Sequence, residues 1–276
     1  MRDELVRANG TTLRVRVEGL PSAQVLLFSN SLATDLSMWD HQAAYFSQWY
    51  RVVRYDTRGH GKSEAAAAPY SLSTLVEDVR SLLDALGIET VHYCGLSLGG
   101  MIGQLFAARY PQRLLSLALC DSAAKLRREV WEERIAIAHK EGIGPLVEPS
   151  LGRWFTQSFR DKNPKLIDDI RQMIHRTSVN GYIGSATAIM EMDNFSQLPR
   201  IVTPTLIVVG SKDPATPPSD SELMRQKIVG SKMVIIEDAA HLPNIEQIDE
   251  FNNILSEFLK AQNEQIQETS LASQRA

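Results

Sequence analysis

Apolar and polar positions follow two rhythms along this chain: alternation in short runs, and spacings of three and four in longer ones. Residues 13–18 (LRVRVE) alternate, as a half-exposed antiparallel strand should. Val25–Ser29 (VLLFS) is continuously apolar, which suits a strand buried on both faces. A helix is expected from Trp39, then a strand over Arg51–Tyr55 (RVVRY). Over residues 71–86, Leu72, Leu75, Val76, Val79, Leu82, Leu83 and Leu86 recur at helical spacing, and Gly87 supplies the stop. A strand over 90–94 (TVHYC), a helix through Tyr110 and a strand over Leu114–Cys120 (LLSLALC) continue the alternation.

Strand, helix, strand in this order predicts an α/β protein with a parallel sheet covered by helices on both faces. The pattern breaks between Ala123 and Leu198, where the chain is charged and helical, with Trp131, Trp154 and Phe155 among its larger side chains. It resumes with strands over 205–209 (TLIVV) and Lys232–Ile236 (KMVII) and a helix through about Lys260. A helical insert in an α/β chain reads as a cap over the sheet's carboxyl edge. The expected division is therefore a core of 1–122 with 199–262, a cap of 123–198 and a flexible polar tail of 263–276.

The 276 residues are 43% hydrophobic, enough for one large core without disulfide or metal staples. A net charge of −4 with no Lys/Arg block argues against nucleic acid as a partner. No apolar run approaches the ~18 residues of a membrane span. Residues 1–7 alternate charged and apolar types and lack the apolar stretch of a signal peptide, so the cytoplasm is the expected compartment. Cys94 and Cys120 make no metal spacing and read as small buried hydrophobes.

Chemistry concentrates where Gly95-Leu96-Ser97-Leu98-Gly99 follows a strand directly and opens a helix. A serine on so sharp a turn needs glycine neighbours, and the helix's free N–H groups then face any charge developing at its hydroxyl. Such a serine needs a base and a carboxylate later in the chain. Asp213 lies just past the 205–209 strand and His241 just past Lys232–Ile236, both at carboxyl ends of strands. Asp220, Asp238 and Glu237 compete with Asp213, and Asp213 has a turn-shaping alternative before Pro214. His41, His60, His92, His139 and His175 read mostly as surface or packing residues. The oxyanion donors expected are the N–H of Leu98 and, from the loop after VLLFS, that of Leu32.

These residues resemble the α/β-hydrolase superfamily and, within it, the 3-oxoadipate enol-lactonases of the β-ketoadipate pathway of aromatic catabolism. The likeness covers nearly the whole chain and rests on SNSLATDLSMWD (29–40), RYDTRGHGKS (54–63), GLSLGGMIGQ (95–104), GRWFT (152–156) and AAHLPNIE (239–246). The DTRGHG and GLSLGG runs are superfamily-wide; the first and fourth are more particular to the lactonases. Asn30-Ser31 stands where many such hydrolases have His-Gly. The resemblance implies a mostly parallel eight-stranded sheet with a helical cap, Ser97 as nucleophile, His241 as general base then acid, and Asp213 orienting the imidazole. It implies a small anionic lactone as substrate and no cofactor or metal.

The substrate's carboxylate calls for a cation, and the insert offers Arg134, three residues after Trp131, and Arg153, beside Trp154. A surface ion pair with Glu129, Glu132 or Glu133 is the competing reading of Arg134. A general carboxylesterase or cofactor-free perhydrolase would use the same triad, and a ligand receptor can retain it on the same scaffold.

Overall fold

Four of the expected strands, 25–29, 51–55, 114–120 and 232–236, form residue for residue, and four further elements, three strands and one helix, differ by one or two residues at an end, because each apolar run finds a layer to bury against. The computed structural model describes the backbone of residues 1–275 and the side chains of residues 1–268. The first half contains β1 (Arg2–Ala8), β2 (Thr11–Gly19), β3 (Val25–Ser29), α1 (Asp40–Phe46), β4 (Arg51–Tyr55), α2 (Leu72–Ala85), β5 (Val91–Leu96), α3 (Leu98–Arg109) and β6 (Leu114–Cys120). Five helices follow: α4 (Arg128–Glu141), α5 (Gly144–Trp154), α6 (Gln157–Lys162), α7 (Pro164–His175) and α8 (Val179–Met190). The chain returns through β7 (Thr205–Gly210), α9 (Pro218–Lys227), β8 (Lys232–Ile236), α10 (Pro243–Glu246) and α11 (Ile248–Arg275).

The strands form one eight-stranded sheet in the order β1-β2-β4-β3-β5-β6-β7-β8, antiparallel at β1/β2 and β2/β4 and parallel elsewhere. From β3 the chain steps to β4 on one side and then to β5 on the other. The carboxyl ends of β3 and β5 thus flank the switch point, where open α/β sheets leave a crevice. Side chains alternate across the sheet: His92 of β5 meets Asn263 of α11, and Tyr93 lies against Gly103 of α3. The two helices therefore cover opposite faces.

Two elements depart further from expectation. The N-terminal alternation is a strand, β1, whose outer residues face solvent and which is fastened by Asp3 to Arg14 and Arg16 of β2 at 2.7 and 2.8 Å. Helix α11 runs on to Arg275 rather than ending near Lys260. At the start of the expected tail, Asn263 donates to Tyr50 at 2.9 Å and lies 3.0 Å from Nε2 of His92. The side chains from 269 onward lie outside the described residues.

The turn after β4 holds the loop after β3 in place. Buried Asp56 accepts the N–H of Leu36 at 2.7 Å and that of Lys62 at 2.8 Å. Burial, only partly offset by these donors, pushes its pKa up to about 6. On the far side of that turn, Gly59 touches the backbone of Gly181 in α8, so the helical segment is anchored there as well. Cys94 and Cys120 are buried and free, their sulfurs 3.9 Å apart on neighbouring strands.

A Cβ on Gly99 would lie 2.2 Å from the carbonyl oxygen of Ser29, backbone against backbone, whereas one on Gly152 in α5 meets nothing within 4 Å. Gly99→Ala is expected to cost about 2–3 kcal/mol and Gly152→Ala to stabilise by about 0.5–1 kcal/mol, measured by denaturant unfolding.

Candidate active site

Ser97 occupies the single residue between β5 and α3, with φ 53° and ψ −112°. That conformation costs a non-glycine residue about 1–3 kcal/mol and persists only where its surroundings fix it. Here the Ser97 N–H donates to the Cys120 carbonyl at 2.9 Å, and its own carbonyl accepts from Met101 N–H and the Ser122 hydroxyl. Strand and helix can meet this closely because Gly95 lies against the Gly99 backbone, and Gly99 against Ser29. The bond from Gly99 N–H to the Asn30 carbonyl, 2.9 Å, ties the elbow to the loop after β3. Among the described residues the N–H groups of Leu32 and Leu98 have no acceptor. Leu98 opens α3, where unpaired N–H groups and the helix dipole favour negative charge.

Asp213 and His241 stand where the strand ends place them, after β7 and β8. Asp213 Oδ2 is 2.8 Å from His241 Nδ1, and both side chains are almost fully buried. The carboxylate also accepts the Thr216 hydroxyl at 2.6 Å and the N–H groups of Ala215 and Thr216 at 2.8 and 3.2 Å. Burial works to raise its pKa, but His241 and these donors outweigh it and hold the carboxyl below its usual value. The rivals lie elsewhere: Asp238 is an exposed partner of Lys212, Glu237 is exposed, and Asp220 sits on α9. His41, His139 and His175 are exposed; His60 and His92 are buried, and desolvation brings each down to about 4.

Ser97 and His241 line one cavity of about 450 Å³ together with Leu32, Trp131, Arg134, Arg153, Trp154 and Tyr182. No direct hydrogen bond joins Ser97 to His241 among the described residues; Nδ1 is engaged by Asp213, which leaves Nε2 as the nitrogen for proton exchange. Arg134 makes no salt bridge to a glutamate among the described residues: Glu132 is taken by Arg128 at 2.8 Å, and Glu133 acts on Arg134 only as a nearby charge. Its guanidinium stacks 4.6 Å from the Trp131 ring centroid. Arg153 donates to the Ser150 hydroxyl at 3.2 Å. Neither arginine makes an ion pair among the described residues. Burial lowers the pKa of both, and that of Arg153, further opposed by the Arg134 charge, falls to about 10. Two half-desolvated guanidinium groups without a salt-bridge partner thus face one cavity, an arrangement whose chemistry suits an anion.

The site's two halves are bonded to each other. Glu246 accepts the N–H and hydroxyl of Thr156 and the N–H of Ala240, and Leu242 N–H donates to the Trp154 carbonyl at 3.1 Å. The segment carrying Arg153 and Trp154 is thereby fixed to the loop carrying His241. The described group with metal-ligand proximity is Asp121, Asp213 and His241, its atoms within 4.8 Å of one another. Asp213 and His241 are already joined there through Nδ1, so the cluster reads as a proton network.

A family model for the alpha/beta hydrolase fold matches residues 24–247. The chain belongs to that family. Within it, the chain is 39% identical to 3-oxoadipate enol-lactonase 1 and 35% identical to 3-oxoadipate enol-lactonase 2 of Acinetobacter baylyi, each over 93% of this chain and 96% of the relative. The crystal structure of the enol-lactonase from Burkholderia xenovorans superposes with a TM-score of 0.91 at 39% identity, covering 93% of this chain and all of that one.

For an alpha/beta hydrolase the sequence motifs locate the elbow serine, acid and histidine, but not their supports. Thr216 was legible only as a hydroxyl three residues after an Asp-Pro turn, a common local pattern. Tyr182 and Ser150 carry no sequence signal of their own and reach the cavity through α8 and α5, each of which packs on α4. Thr216→Val removes one donor from the buried Asp213 carboxylate. Its kcat is expected to fall about tenfold with KM little changed, read from steady-state ester hydrolysis.

Proposed function

We propose that this protein hydrolyses 3-oxoadipate enol-lactone to 3-oxoadipate through an acyl-enzyme on Ser97. The observation that carries the reading is one cavity lined by an elbow serine, by the histidine of a buried His–Asp pair and by two arginines without salt-bridge partners. The kinship with enol-lactonases supports the same substrate. The segment 123–198 acts as a cap, closing the cavity over a core of 1–122 and 199–262, in a cytoplasmic enzyme.

In the reaction, Ser97 Oγ attacks the ring carbonyl while His241 Nε2 takes its proton. Asp213 holds the ring by Nδ1 and stabilises the imidazolium. The N–H groups of Leu32 and Leu98 receive the developing oxyanion, each worth about 3 kcal/mol in such sites. Ring opening expels an enolate, which stays attached to the acyl chain, takes the proton held on His241 Nε2 and becomes the ketone, leaving the imidazole neutral again. Water, deprotonated by His241, then attacks the acyl carbon and frees Ser97. Every step uses side chains and backbone N–H groups of this chain, and water. Throughout, Arg134 and Arg153 hold the substrate's acetate arm, with Trp131 and Trp154 walling the ring.

The test is a coupled assay in which enol-lactone is generated from its precursor. Ser97→Ala is expected to lose more than about 10⁴-fold in kcat while remaining folded. Arg134→Ala and Arg153→Ala are each expected to raise KM for the lactone about ten- to a hundredfold, and to leave hydrolysis of a neutral acetate ester nearly unchanged. Full activity in the serine variant, or unchanged KM in both arginine variants, contradicts the reading.

A further inference from the structure

Asp121 is a buried acid that the reaction just described leaves unused. It is the first residue after β6, fully inaccessible to solvent, with φ 42°. Its N–H donates to the Val208 carbonyl at 2.8 Å, and its Oδ1 accepts the Gly210 N–H at 2.9 Å, so it is gripped by the end of β7. Its Oδ2 is buried with no partner. An oxygen of this carboxyl, one of Asp213 and a ring nitrogen of His241 all lie within 4.8 Å of one another.

Two carboxylates this close and this buried cannot both be ionised. Asp213 has His241, the Thr216 hydroxyl and two N–H groups to stabilise its anion; Asp121 has a single N–H. The proton therefore belongs on Asp121. Burial first, then the Asp213 charge, drives the Asp121 pKa well above the ordinary carboxylate range. The titratable groups facing this pair are His241, the Cys120 thiol and, from α9, half-buried Asp220, whose own pKa is raised by burial and by Asp213. None except protonated His241 would stabilise a second anion.

We propose that Asp121 is a positioning residue held as a neutral carboxylic acid, its Oδ2–H directed at the Asp213 carboxylate. It steadies the triad anion without adding a charge beside His241. The assignment rests on the proposed roles of Asp213 and His241, so the test includes a readout that needs no turnover.

That readout is infrared difference spectroscopy of the Ser97→Ala protein at neutral pH, which should show the C=O band of a buried protonated carboxylic acid, abolished by Asp121→Asn. Absence of the band overturns the proposal whatever the protein's substrate. In the active enzyme, Asp121→Leu, which offers neither donor nor acceptor, should lower kcat about tenfold or more. Asp121→Asn, whose amide can donate to Asp213 while its oxygen accepts from Gly210, should recover most of that loss. The sign of the pH profile discriminates further. Were Asp121 ionised, the Asn substitution would remove a negative charge beside His241, lower the imidazole pKa and move the acid limb of kcat/KM down by about a unit or more. An unmoved limb is expected, and a downward shift of that size refutes the neutral acid even if the Leu variant fails to fold. Should no substrate be turned over, the infrared band still decides the matter, and the failure falls on the functional reading alone.

Discussion

The contact of the Gly99 backbone with Ser29 is the constraint around which this molecule is arranged. It forces β5 to pass into α3 within one residue, leaves Ser97 in a positive-φ conformation, and brings the loop after β3 beside the new helix. Because β3 and β5 flank the sheet's switch point, the same contact brings the loop that carries Leu32 onto the cavity that Ser97 lines. The backbone strain is sustained by bonds to Cys120, Ser122 and Asn30, none of which lines the cavity.

Charge is distributed in two opposed ways around that serine. On the sheet side, a buried carboxylate is over-supplied with donors, so Asp213 stays anionic and can steady a protonated His241. On the helical side, two guanidinium groups without salt-bridge partners among the described residues are brought close to one another, and their desolvation is only partly offset by the Trp131 ring and the nearby Tyr182 and Glu133. A protein of net charge −4 thus carries two arginines on the wall of the cavity that Ser97 lines. The Glu246 bonds hold these halves at a fixed separation.

Legibility in the sequence followed the range of the interactions. The strands VLLFS and RVVRY, the α2 stripe capped by Ser71, and the elbow GLSLG were readable because their signals are local: continuous burial, helical spacing, glycine on both sides of one serine. Strand β1 is weakly marked in the sequence, because its outward residues are charged or exposed and its pairing depends on a hairpin and on Asp3 reaching two arginines. The end of α11 was missed because polar residues without a stripe carry no helical signal, while the anchor at Asn263 comes from Tyr50 and His92, distant in sequence. At the site, strand ends located Asp213 and His241. Asp121, Tyr182 and Glu246 gain their meaning only from neighbours that tertiary packing delivers.

The central claim is that an anionic lactone is recognised by the arginine pair and opened by the triad in one cavity. Its most direct test is the ratio of kcat/KM for the enol-lactone to that for the methyl ester of its acetate arm, measured in wild type and in the Arg134→Ala/Arg153→Ala double variant. The account predicts a strong wild-type preference for the anion that collapses by about a hundredfold or more in the double variant. A ratio that is the same in both proteins would contradict it.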